Sequence, residues 1–276
     1  MESRKFCIFA LSYKQKKLHL YIPCWIYPFL TSVSPVLSMA AKFSHPLYEK
    51  LKSKTFVLAS TSPRRREILQ KLGIQDFKIM GSNFEEDLDK SKYSVDDYVL
   101  QTATYKGLSV LSHFLQSKDS NKDFIILASD TIVECEGIIY EKPSSKIDQF
   151  EKLKHIKDCK FPIYVKTAVV IFSRRNSNDS CENNWKKYGN ITDVNILKDL
   201  KIDSHLESTK LTMDYENLDD SFLQLYVDSN EGAGAAGGFQ IQGMGGLLFS
   251  KIEGDYNNVV GLPFTSTWRL IEKCLQ

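Results

Sequence analysis

From about residue 54 onward the sequence predicts an α/β fold, on three observations. The apolar run TFVLAS (55–60) passes directly into a helix start at Ser62-Pro63. Ser94 opens a long stretch with apolar residues at helical spacing. FIILAS (124–129) is apolar on both faces, as in the interior of a sheet.

The elements follow in order. TFVLAS is a strand, and Pro63 to Leu72 a helix with Ser62 as N-cap, Pro63 in the first helical position and Gly73 as terminator. FKIMGS (77–82) reads as a second strand, followed by the acidic loop Glu85-Glu86-Asp87. Ser94, with Asp97 at the capping-box position, starts a helix to about Gln116, in which Val95, Tyr98, Val99, Thr102, Tyr105 and Leu108 fall at helical spacing. FIILAS ends on Asp130-Thr131, a hairpin follows near Glu136-Gly137, and then Glu141-Lys142-Pro143. Residues 146–157 are helical, and FPIYVKTAVVIF (161–172) is a long strand.

Residues 173–210, which open with SRRNSNDSCENN, read as a polar insertion or flexible hairpin tip without chemistry of its own. Structure is expected to resume near Asp214, with a helix from Leu218 to Ser229. The glycine-rich EGAGAAGGFQIQGMGG (231–246) matches neither a P-loop nor a dinucleotide fingerprint and reads as a tight-turn strand pair. A terminal helix begins near Thr265.

At 276 residues the chain suits one large domain or two small ones, and the 36 basic and 34 acidic residues leave a net charge of +2. That balance argues against a protein that coats nucleic acid, so an anionic ligand must meet a local cluster of positive charge. The six cysteines are scattered, with no CxxC pair and no zinc spacing, and read as free thiols in a reducing, cytoplasmic setting. The five histidines form no metal-type constellation.

Residues 1–50 stand apart as an N-terminal extension. LYIPCWIYPFLTSVSPVLSMAA (20–41) carries no charge and follows a basic stretch, yet its three prolines disfavour a spanning helix. Two explanations stay open: an anchor or uncleaved signal, or an extension ahead of a translation start at Met39. No membrane association is expected of residues 51–276.

The chemistry gathers at strand ends, where open α/β sheets bind ligands. The first strand delivers Ser60, then Arg64 and Arg65 in the first turn of a helix. Arginines there oppose the helix dipole, at a local cost of about 0.5 kcal/mol each, and a phosphate at the helix start reverses that sign. A solvated basic patch is the plainer explanation of the same residues. Glu86 and Asp130 follow the second and third strands. Carboxylates reach phosphate through Mg²⁺, and an aspartate can take a proton from an attacking water. Taken alone, Asp130 fits a turn-forming residue equally well. Lys106 and Lys142 add positive charge, and Gln242 offers a donor and an acceptor to a base edge.

These residues carry a resemblance to the Maf (septum-formation protein) family of nucleoside triphosphate pyrophosphatases, which share an architecture with inosine triphosphatases. The matching segments are LASTSPRRREILQKLGI (58–74), NFEED (83–87), ATYKG (103–107), ASDTIVE (128–134), YEKP (140–143), GGFQIQGMGG (237–246) and IEGDYNNVVGLP (252–263). The resemblance implies a mixed twisted sheet with flanking helices and a central cleft, spanning 51–276. It also implies hydrolysis of a nucleoside triphosphate between the α and β phosphates.

Carried over residue by residue, Asp130 is the proton acceptor and shares a divalent ion, Mg²⁺ or Mn²⁺, with Glu86. Ser60, Arg64, Arg65, Lys106 and Lys142 bind the triphosphate. Arg64, Thr131 and Gln242 match the positions that mark the dTTP/UTP branch. Its sister, which prefers 7-methyl-GTP, typically carries Gln after the aspartate. Family members often dimerise, so the resemblance allows a homodimer and leaves the oligomeric state open. One departure concerns the base: where the family usually reads KAGAY before IQG, this chain has Ala235 in place of the lysine and Phe239 in place of the tyrosine. The expected substrates are dTTP, UTP or modified pyrimidine nucleotides, and the rival expectations are 7-methyl-GTP or another non-standard nucleotide as substrate and a non-catalytic nucleotide-binding regulator of cell division.

Overall fold

The computed structural model describes residues 43–118, 122–174 and 200–276, together with the strands Phe6–Ala10 and His19–Pro23. These two strands, β1 and β2, pair antiparallel within a unit spanning Met1–His45. The rest of the uncharged stretch beyond Pro23, Met39 included, lies outside the described residues, as does SRRNSNDSCENN beyond Arg174. No helix among the described residues is long and apolar enough to cross a membrane.

The second unit, Pro46–Gln276, opens with helix α1 (Pro46–Leu51). Its Leu47 is buried in the core, so the part of the expected extension at 46–50 packs with the main unit. Strand β3 (Thr55–Leu58) leads into α2 (Pro63–Lys71) and then the short β4 (Lys78–Ile79). Helix α3 (Val95–Leu115) is capped by Ser94, whose Oγ accepts from the Asp97 amide at 3.1 Å. Strand β5 (Phe124–Cys135) turns through Glu136 and Gly137 into β6 (Ile138–Tyr140). Both turn residues have positive φ, 52° and 79°, as a tight hairpin turn requires. Helix α4 (Lys146–Cys159) and strands β7 (Ile163–Arg174) and β8 (Leu200–Met213) follow. Then come α5 (Asp220–Asp228), two 3₁₀ turns (Ala236–Gly238 and Met244–Leu248), β9 (Phe249–Glu253), α6 (Tyr256–Val260) and α7 (Phe264–Cys274).

Seven strands form one mixed sheet in the order β4-β3-β5-β7-β8-β9, with β6 on β5. β4, β3 and β5 are parallel, and the remaining pairs antiparallel. α3 covers one face against Ile126, Ala128 and Phe172. Gly107 permits its close approach, because a Cβ there would run into the Phe172 ring and lie 3.0 Å from the Ala128 Cβ. α2 and α7 cover the other face through Ile68, Leu69 and Ile271.

Three expectations change. Residues 200–213 are not insertion but a full strand, in register with β7 from Arg174↔Leu200 to Ile163↔Leu211. The second strand shrinks from 77–82 to two residues. The glycine-rich segment is not a strand pair but turns, with Gly237 and Gly238 at φ 69° and 75°.

Candidate active site

β5 organises the site. One edge pairs with β7 continuously from Ile125 to Glu134. The other pairs with β3 only as far as Leu127, and with β6 from Val133 onward. β3 leaves the sheet at Ala59, whose amide still donates to the Leu127 carbonyl at 2.8 Å. The gap opposite Ala128–Ile132 opens a cleft of about 570 Å³. Asp130 therefore stands inside a continuous strand rather than at a strand end. The gap in its neighbour makes it accessible.

Every site residue named from the sequence lines this cleft: Ser60, Arg64, Arg65, Glu86, Lys106, Asp130, Thr131, Lys142 and Gln242. Alternation along β5 sorts the central pair. Asp130 shares the α3 face with Ala128 and Ile132, and there Lys106 of α3 donates to its Oδ1 at 2.6 Å. Lys106 Nζ also lies 2.7 Å from Glu86 Oε1, so one ammonium bridges two carboxylates. Burial pushes the Glu86 carboxyl up, but the Lys106 hydrogen bond, helped by Lys142 and Arg65, brings it below its ordinary value.

Thr131 points to the opposite face, toward α2. Arg65 donates Nη2 to Thr131 Oγ1 at 3.1 Å, Nη1 to Ser60 Oγ at 3.2 Å and Nε to the Gly261 carbonyl at 3.0 Å. Its pKa is lowered by burial, against which Asp130 and Glu86 work. Arg64 reaches the Gly234 carbonyl at 3.4 Å across the mouth. Ser62 is the N-cap of α2 but makes no side-chain cap bond, which leaves the first-turn amides to a ligand.

Sequence reasoning passed over several residues here. Tyr98 donates to Glu141 Oε1 at 2.8 Å, while Lys90 pairs with Glu141 Oε2 at 2.8 Å. Burial, with the Glu141 hydrogen bond and charge, raises the Tyr98 hydroxyl. Thr167 shares a hydrogen bond with Thr131 at 3.0 Å and donates to the Asn258 carbonyl at 3.3 Å, tying β5 to α6. A hydroxyl in the apolar run VKTAVV was the available signal. At the glycine-rich end Gln240, also passed over, lines the cleft with Gln242 and with Ala235 and Phe239, the two departures expected to concern the base. Gln242 stands in a turn, not on the expected strand.

Among the described residues no group of three or more His, Cys, Asp or Glu side chains is placed to hold a metal. The two carboxylates bridged by Lys106 form a smaller set. It suits a cation that takes its remaining ligands from phosphate and water.

The comparisons with known proteins identify the family. The family model described as Maf-like protein matches residues 55–274. A dTTP/UTP pyrophosphatase of Schizosaccharomyces pombe is 33% identical over 231 residues, 83% of this chain and 88% of that protein. Its namesake from Saccharomyces cerevisiae is 38% identical over 223 residues, covering 77% of this chain and 87% of that protein. A dTTP/UTP pyrophosphatase of Thermoanaerobacter is 33% identical over 217 residues, or 79% and 95% of the two chains. With the family model matching most of its length and relatives above 30% identity over more than three quarters of it, the chain belongs to the Maf-like protein family.

Proposed function

We propose that the chain is a nucleoside triphosphate pyrophosphatase, acting on dTTP and UTP and releasing the monophosphate and pyrophosphate. The observation that carries the chemistry is the double bridge of Lys106 to Asp130 and Glu86, facing Arg64, Arg65 and Lys142 across one cleft. The names of the relatives support the substrate class.

The triphosphate lies at the start of α2, where backbone amides and the dipole favour an anion and the two arginines neutralise it. Lys142 closes on it from the loop after β6. Asp130 takes the proton of a water that attacks the α phosphorus. The bond from that phosphorus to the α–β bridging oxygen breaks, and pyrophosphate leaves with that oxygen. Arg65 is held by Ser60, Thr131 and Gly261, so its position is set before substrate arrives.

Glu86 and Asp130 would hold Mg²⁺ or Mn²⁺ when it is bound, and such an ion neutralises phosphate charge and orients the chain of phosphates. The Lys106 ammonium occupies Asp130 Oδ1 and Glu86 Oε1, so the ion would be held by the other oxygen of each carboxylate. A homodimer and a cytoplasmic location fit the same assignment.

The test is a panel of dTTP, UTP, CTP and 7-methyl-GTP with Mg²⁺. Pyrophosphate and monophosphate are expected in equal amounts from dTTP and UTP. Release of single phosphate, or turnover of 7-methyl-GTP alone, sinks the proposal.

A further inference from the structure

Gln240 and Gln242 both line the glycine-rich end of the cleft, and their side chains form a relay. Gln240 Nε2 donates to the Glu231 backbone carbonyl, and Gln240 Oε1 accepts from Gln242 Nε2 at 2.8 Å. Resting on the dTTP/UTP assignment, we propose that Gln240 is a specificity-determining positioning residue. It locks the Gln242 amide in one sense, so that the cleft accepts the imide edge of uracil or thymine and rejects the edge of cytosine.

The polarity of the relay is set at its root. A side-chain amide is nearly symmetric in shape, and its orientation follows from its partners. A backbone carbonyl only accepts, so Gln240 must turn Nε2 toward Glu231 and Oε1 toward Gln242. Turning Gln242 over places oxygen against oxygen. Turning both amides over moves the same clash to the Glu231 carbonyl.

The root itself is held. The Glu231 carboxylate accepts from the Met244 amide at 3.0 Å, the Gly245 amide at 2.9 Å and Tyr226 Oη at 3.3 Å. Tyr226 Oη in turn accepts from the Gln240 amide at 3.0 Å. The segment is too tight to shift, since a Cβ on Gly245 would lie 2.5 Å from the Gln240 carbonyl oxygen.

With one N–H committed to Gln240, Gln242 presents Oε1 and its second N–H in a fixed order. Uracil and thymine offer N3–H beside a carbonyl, which matches acceptor and donor. Cytosine offers the reverse, a bare N3 beside an amino group, and pairs only with the amide turned over. A site built to pair one polarity leaves its own groups unpaired against the other, and so discriminates.

The experiment compares kcat/KM for UTP and CTP, with Mg²⁺, in the unaltered protein, Gln240→Met and Gln240→Glu. The unaltered protein is expected to favour UTP. Gln240→Met is expected to lose about tenfold of that preference, in KM rather than kcat. Gln240→Glu keeps an acceptor toward Gln242 but sets a second oxygen against the Glu231 carbonyl, so the relay loses its root and the preference is expected to fall as in Gln240→Met, with both efficiencies lowered by the added charge. A purely structural contribution would lower UTP and CTP together and leave the ratio alone. An unchanged ratio in Gln240→Met, or no preference in the unaltered protein, overturns the relay.

A second measurement needs no variant. 3-Methyl-UTP lacks the N3 donor and should be turned over by the unaltered protein at least about tenfold less efficiently than UTP. Equal turnover overturns the relay. Absence of any UTP hydrolysis by the unaltered protein instead removes the proposed function, and this proposal with it.

Discussion

At one end of the cleft, Asp130, Lys106 and Arg65 stand on a strand and two helices that pack into the core. At the other end, Gln240 and Gln242 stand in turns between two 3₁₀ segments, held by the carboxylate and carbonyl of Glu231. The first end is fixed by hydrophobic burial on both faces of the sheet. The second has buried anchors in Phe239 and Ile241 on either side of Gln240, but its polar side chains are fixed by a few hydrogen bonds and by close-packed glycines such as Gly245. Reacting groups thus sit on the parts of the fold that resist displacement, and the groups expected to read the base sit where a few substitutions can reshape the wall.

The largest effect expected from breaking this division is at its centre. Asp130→Asn should lower pyrophosphate release about 100- to 10,000-fold while nucleotide titration still shows binding. Full activity in that variant would remove Asp130 from the mechanism. Lys106→Met should cost stability as well, about 3 kcal/mol by denaturant unfolding. That is the low end for a broken buried pair, because Glu86 is half exposed. A loss confined to activity would show that the bridge does not support the fold.

On the turn side, Gly232→Ala places a Cβ onto the Gly238 carbonyl and against Gln149 Nε2. About 1–3 kcal/mol of destabilisation is expected, read as a lower Tm, with KM for UTP rising more than kcat falls. If kcat fell and KM held, the two ends would not be separable.

A smaller effect should separate two helix starts. Ser94→Ala removes a formed cap and should cost about 1 kcal/mol, whereas Ser62→Ala, with no cap bond to lose, should cost less than about 0.5 kcal/mol. Equal losses would mean that the α2 start is not left open for a ligand.

The mildest test is acid titration. The Glu86 carboxyl lies below its ordinary value of 4.5. Its share of stability is therefore present above that value and fades as pH falls through the lowered one. Glu86→Gln should flatten that part of the unfolding curve, and an unchanged acid limb would contradict the bridge.

The division also explains what the sequence made legible. Arg64, Arg65, Asp130 and Thr131 lie in short polar clusters abutting apolar runs, and these contrasts survive without a structure, whereas Lys106 is one lysine within a long helix and stands out only through the motif ATYKG. The glycine-rich segment was misjudged because glycine fits tight strands and turns alike, and only its positive φ values separate them. β8 was missed because its alternation is broken. Leu200 and Ile202 are buried, but so is Asp203, paired with Lys273, before the apolar face returns at Leu211. Glu141 stands within the motif YEKP, yet its partners Tyr98 and Lys90 lie far away in the chain, a pairing that no local pattern encodes.

The interruption beside β5 has a cost that runs through the whole architecture. Where β3 departs, the middle of the sheet forgoes ladder bonds that an uninterrupted neighbour would supply. A redesign that carried β3 past Ala59 alongside Ala128–Ile132 would gain those bonds and seal the cavity. For this protein, thermal hardening of the sheet and the ability to admit a ligand pull in opposite directions at a single place.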